Sequence, residues 1–130
     1  MFPTAPLLLL AAVVLLQTKW QEIGRTSTGN SVFLDGKSVR KAPDGIVTAR
    51  LRVTYAPPLD TPKGKVTSSR AVAMFDCAKG LVATKESVLF LNEAKGVVFS
   101  QRTIAKPGFG PALTSTFADV ALKHLCARKP

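Results

Sequence analysis

The sequence predicts an α+β fold: an antiparallel β-sheet of about six strands, with a C-terminal α-helix packed on one face and tied there by a disulfide. Three observations predict it. Strict two-residue alternation runs from Ile46 to Ala56, helical spacing appears only near the end, at Phe117, Val120, Ala121 and Leu125, and of the two cysteines Cys77 ends a later strand-like segment while Cys126 lies in the helical one. The chain has 130 residues, 18 Lys+Arg against 8 Asp+Glu, a formal net charge of +10 and 46% hydrophobic residues. A chain of that size buries a single core, which excludes a multidomain enzyme.

The apolar content is concentrated at the start. Residues 1–18 carry no charge, and Leu7 to Leu16 is wholly apolar. A run of ten is too short for a helix across about 30 Å of hydrocarbon, which takes roughly 20 residues, yet it matches the h-region of an export signal. Residues 1–18 are therefore expected to be a signal peptide or N-terminal apolar segment, and residues 19–130 the folded domain, with no transmembrane span. No Lys or Arg precedes the run and no Ala-x-Ala follows it. No Cys precedes Cys77, so the lipid-attachment cysteine of a lipoprotein is absent from this stretch. A buried N-terminal helix is the competing reading, but the segment has no polar face for water.

The strands follow in order. Ser31 to Asp35 is short and mostly apolar. From Ile46 to Ala56, Val47, Ala49, Leu51, Val53 and Tyr55 point one way and Thr48, Arg50, Arg52 and Thr54 the other, the pattern of a half-buried antiparallel strand. Pro57, Pro58, Asp60, Pro62 and Gly64 predict a turn-rich interruption, since proline lacks the ladder donor. A strand resumes near Lys65 and runs to Cys77. Leu81 to Lys85, Val88 to Leu91 and Val97 to Thr103 read as three more, with a tight turn at Lys95-Gly96.

Lys106 to Pro111 holds two Gly and two Pro, so regular structure is expected to stop there. Thr116-x-x-Asp119 then supplies an N-cap hydroxyl with an acidic residue three positions on, and predicts a short helix ending near Arg128. Lys123, Arg128 and Lys129 suit the negative end of its dipole.

Export turns the even cysteine count into an expected Cys77–Cys126 disulfide. Its loop of about 50 residues would stabilise the fold by roughly 4 kcal/mol. Two buried free thiols would instead fit a cytosolic chain.

Trp20 to Gly24 (WQEIG), Val32 to Asp35 (VFLD), Ser38-Val39-Arg40, the basic strand to Tyr55, Asp76-Cys77 and Cys126 together resemble, in order and spacing, the surface-adhesin protein E domain of Gram-negative bacteria. The resemblance covers nearly all of the chain after the apolar segment. It implies a small exported or lipid-anchored protein with a sheet covered by a disulfide-tethered helix. The founding member is a host-matrix-binding adhesin, but fold alone does not carry function.

Catalytic parts are sparse. His124 is the single histidine, and on a helix it points away from Cys126, so the two make no nucleophile pair. No G-x-S-x-G, zinc-ligand or phosphate-loop string occurs, and no metal or cofactor is expected. Asp35, Asp44, Asp60, Asp76, Glu86, Glu93 and Asp119 are scattered, mostly in turn and cap positions.

Charge is the remaining signal. Arg50 and Arg52 share a strand face, and an antiparallel neighbour would bring Lys63, Lys65 and Arg70 to join them in one cationic patch. The expected role is a non-catalytic binding module whose basic sheet face holds an anionic matrix protein, glycan or lipopolysaccharide. Its place would be the periplasm or outer surface of a Gram-negative cell. Nucleic acid ranks last, because few aromatics are free to stack. A periplasmic accessory or inhibitor protein with one protein partner is the alternative, a small hydrolase using His124 the third reading, and an edge strand would also allow a homodimer.

Overall fold

Alternating segments joined by short turns fold most simply as a meander, each strand pairing with the one before it. The computed structural model describes residues 19–127. The expected signal segment, Arg128 and Lys129 lie outside them. Six strands follow one another: β1 (Trp20–Arg25), β2 (Ser31–Lys41), β3 (Ile46–Thr61), β4 (Gly64–Asp76), β5 (Leu81–Asn92) and β6 (Val97–Thr103). A two-residue β7 (Gly110–Pro111) and one helix, α1 (Phe117–Cys126), complete the order. The sheet order is β1-β2-β3-β4-β5-β6, antiparallel throughout, with β7 on β5 beside it.

One face of this sheet carries the core. Leu34, Val47, Ala49, Leu51, Ala73 and Phe75 are buried against Ala121 and Leu125 of α1, with Ile23, Val39, Val82, Phe117 and Leu122 around them. The register explains the clustering: Leu34 pairs with Leu51, Ala49 with Ala73 and Val47 with Phe75, so these side chains stand in rows across three strands. Small Ala49 and Ala73 leave room for the helix to come close. Closest approach is at β1, where a Cβ on Gly24 would lie 2.8 Å from Val120 Cγ1.

The helix start follows the expected capping chemistry with one displacement. Thr116 Oγ1 accepts from the Asp119 N–H at 3.4 Å, whereas the Asp119 carboxylate reaches one residue further back, accepting from the Ser115 N–H at 2.9 Å. Hydrogen bonds from Ser115 and Lys123 hold the Asp119 carboxyl below its usual value. The helix ends at Cys126, whose disulfide to Cys77 joins it to the turn after β4 across a Cα–Cα distance of 5.3 Å. Cys77 opens that turn rather than ending the strand.

Three expectations need correction. The proline stretch does not end β3. Pairing jumps from Thr54↔Ser68 to Leu59↔Val66, so residues 55–58 form a bulge in which the prolines have no ladder donor to supply, and Ala56–Pro57 is cis. The segments Leu81–Lys85 and Val88–Leu91 are one strand. Opposite them Val72 pairs with Glu86 and Ala73 with Thr84, leaving Lys85 as the extra residue. Finally, Gly110 and Pro111 do pair, with Val82 and Leu81, despite the surrounding Gly and Pro.

Candidate functional site

The helix covers one face of the sheet, so the residues of opposite parity on β2–β5 point away from it. Two rows cross the face they form. Trp20, Asp35, Arg50, Val72 and Glu86 are successive register partners, as are Glu22, Phe33, Arg52, Arg70 and Val88. Arg50, Arg52 and Arg70 therefore come together as expected, Arg52 and Arg70 as direct partners.

Two like charges placed opposite each other in a ladder repel, and a carboxylate from the β5–β6 turn resolves the conflict. Glu93 Oε1 accepts from Arg52 Nε at 2.9 Å and from Ser68 Oγ at 2.6 Å, while Oε2 accepts from Arg70 Nε. Burial pushes the Glu93 carboxyl up. The Ser68, Arg52 and Arg70 hydrogen bonds and the Arg52 charge outweigh it and hold the group below the ordinary glutamate value. The turn that presents Glu93 is closed by the Gly96 N–H donating to Glu93 O at 3.0 Å, with Gly96 at φ +68°.

Ring contacts fix the arginines further. The Arg52 guanidinium lies 5.6 Å from the Phe33 ring centre, and that of Arg70 lies 5.5 Å from Trp20 and 6.0 Å from Phe90. Arg50 differs from both: it is exposed, and among the described residues its guanidinium makes no ion pair. Beside it is a groove of about 190 Å3, lined by Lys19, Trp20, Arg50, Val72, Glu86 and Val88 among others.

Lys63 and Lys65 are placed elsewhere. Lys63 is in the β3–β4 turn, and alternation along β4 puts Lys65 with Thr67 and Ser69 on the opposite face from Ser68 and Arg70. Lys65 Nζ instead lies 3.7 Å from Asp60, both side chains well exposed. Lys65 misses the patch by its parity on β4, and Lys63 by lying in the turn beyond it.

Several residues of this face escaped the sequence reading. Glu93 read as a turn carboxylate, and Trp20 entered only through the family resemblance. Parity held the missing signal, because Arg52 and Arg70 on paired strands demand a counter-charge. The scattered carboxylates otherwise do turn work: Asp35 accepts from Lys37 N–H, Asp44 from Ile46 N–H and Asp76 from Lys79 N–H. His124 lies in the last turn of α1, and Cys126 is oxidised, so the pair offers no nucleophile. Among the described residues no cluster of three His, Cys, Asp or Glu could hold a metal ion, and no helix is long and apolar enough to cross a membrane.

Comparison with known proteins bears on the family and the fold. Residues 20–127 match the family model described as surface-adhesin protein E. No curated protein matches the sequence. Among solved structures, crystal form II of Haemophilus influenzae protein E is similar, with a TM-score of 0.55 at 15% identity over 85% of this chain and 88% of that one. The selenomethionine form of that protein gives 0.54 at 14% identity, over 85% and 87%. At such identity the structural likeness is one of fold.

Proposed function

This chain belongs to the surface-adhesin protein E family, and on that premise we propose that it is a non-catalytic, exported, adhesin-like module that holds anionic host-matrix or envelope polymers on the helix-free face of its sheet. The observation that carries the reading is Arg50, an exposed guanidinium with no ion pair among the described residues, on the sheet face opposite the helix in a chain with net charge +10. The whole-molecule charge draws a polyanion in, and the local unpaired cation gives it a contact not already taken by the protein.

Arg52 and Arg70 contribute less than their charge suggests, because both are paired with Glu93, which offsets one of their two charges. Lys63 and Lys65 contribute only to the distant field. The face is thus selective in where it offers positive charge, which suits recognition better than simple adsorption.

Retention of the chain, without its apolar N-terminal segment, on immobilised heparin tests the reading. Retention should fall steeply as salt rises, and Arg50→Glu should elute at clearly lower salt than Lys63→Glu. Salt-insensitive retention, or equal effects of the two reversals, would sink it. Recovery of one stoichiometric protein partner from envelope extract, with no polymer retention, would move the assignment to the accessory or inhibitor class.

A further inference from the structure

We propose that the groove between Trp20, Arg50 and Glu86 is a subsite for one pyranose unit carrying an anionic substituent, an inference that rests on the polymer-binding role and names its unit of recognition. Arg50 and Glu86 are both register partners of Val72, so they flank it on the two adjacent strands, with Cα atoms roughly 10 Å apart across two strand spacings. Neither makes an ion pair among the described residues. Val72 forms an apolar floor between them, with Val88 beside Glu86 on β5, and Trp20 forms a wall.

That arrangement matches the chemistry of an acidic sugar from three sides. A guanidinium binds carboxylate or sulfate through two parallel N–H donors. A carboxylate accepts only, and suits hydroxyl donors on the far side of the ring. The valines and the indole meet the ring's C–H faces. Arg70, anchored on Glu93, packs against the Trp20 ring and holds the wall in place before any ligand arrives.

Size and charge exclude other occupants. At about 190 Å3 the groove is smaller than the roughly 300–1,000 Å3 of sites for larger ligands. A nucleotide is one of those larger ligands, and an acidic protein side chain would use Arg50 while leaving Glu86 and the indole wall without a role.

Trp20 is the single tryptophan, so intrinsic fluorescence reports directly on the groove. The chain is titrated with glucuronate, N-acetylneuraminate, glucose 6-sulfate, glucose and glutamate. At least one anionic sugar should give a saturable change in the millimolar range, with glucose and glutamate at least tenfold weaker. Arg50→Ala and Glu86→Gln should each weaken that sugar at least fivefold, and Lys65→Ala should leave it unchanged, with circular dichroism confirming that all three fold. The inference is overturned by no saturable response to any anionic sugar, by glucose binding as well as they do, or by variants that bind like wild type. Glutamate matching the sugars also overturns it and assigns the groove to acidic protein segments. If heparin retention persists through any of these failures, the polymer-binding reading stands and only the subsite falls.

Discussion

Replacing Glu93 by Gln should move stability and binding in opposite directions. Glu93 is 13% exposed and serves Ser68, Arg52 and Arg70 at once, with the two arginine side chains 26% and 46% exposed. The glutamine keeps the volume and one acceptor oxygen but puts an amide N–H2 where donors already point, and it removes the charge that separates Arg52 from Arg70. Hydrogen bonds to charged groups contribute about 1.5–3 kcal/mol each when shielded, and exposed pairs at most about 1. Allowing for solvent at Arg70 and for the contacts Gln retains, the loss at pH 7 should be about 2 kcal/mol, or roughly 10 °C in melting temperature.

The pH dependence gives an independent check. The folded carboxyl is held below its unfolded value, so its stabilisation is complete above the ordinary glutamate range, near about 4.3, and is lost as pH falls through the folded value. Wild type and variant should therefore differ most at neutral pH and converge in acid. On heparin the variant should be retained to higher salt, because Arg52 and Arg70 lose their internal counter-ion. Urea denaturation at several pH values and a salt gradient are the assays. A neutral-pH loss under about 0.5 kcal/mol, a gap that widens in acid, or weaker heparin retention would refute the reasoning.

Other perturbations test the frame that presents this face. Replacing Cys77 and Cys126 together by Ser reopens a loop with a sequence separation of 49 and should lower stability by about 4 kcal/mol, seen as a fall in melting temperature equal to that produced by reduction. Gly24→Val places its Cβ where Val120 Cγ1 is 2.8 Å away, forcing the helix off β1. A loss of about 1–3 kcal/mol in urea melts is expected, with Gly36→Val, whose Cβ meets nothing within 4 Å, as the control without a clash. Thr116→Ala removes the helix N-cap and should cost about 1 kcal/mol in thermal melts.

The two periods in the sequence carried most of the fold. Alternation from Val47 to Tyr55 assigned each β3 residue to its correct face, and the Thr116 cap with Phe117, Ala121 and Leu125 located the helix within a residue or two. Local signals misled where tertiary pairing overrode them. Pro57 and Pro58 mark a bulge, not an end, because β4 continues opposite them and takes up pairing again at Leu59. The gap between Lys85 and Val88 vanished for the same reason: one unpaired residue lets two segments of different parity share a single strand. Such choices depend on what the neighbouring strand does, which no local window contains.

The proposed binding face was less legible than the fold, and the reason is electrostatic. Counting cations along the chain treats Arg50, Arg52, Arg70, Lys63 and Lys65 as equivalent, whereas availability depends on which are already paired. Glu93 stands 41 residues from Arg52 and 23 from Arg70, and only the meander brings its turn back over both. Once it does, both arginines are tied to Glu93 through Nε, Arg70 also packing on the Trp20 ring and Arg52 on Phe33, and of the three Arg50 alone makes no ion pair among the described residues. Positive charge on this sheet is therefore divided between internally paired and exposed arginines by one turn carboxylate. Paired arginines on neighbouring strands accordingly point first to a missing counter-charge within the fold, and only the unpaired remainder to a ligand.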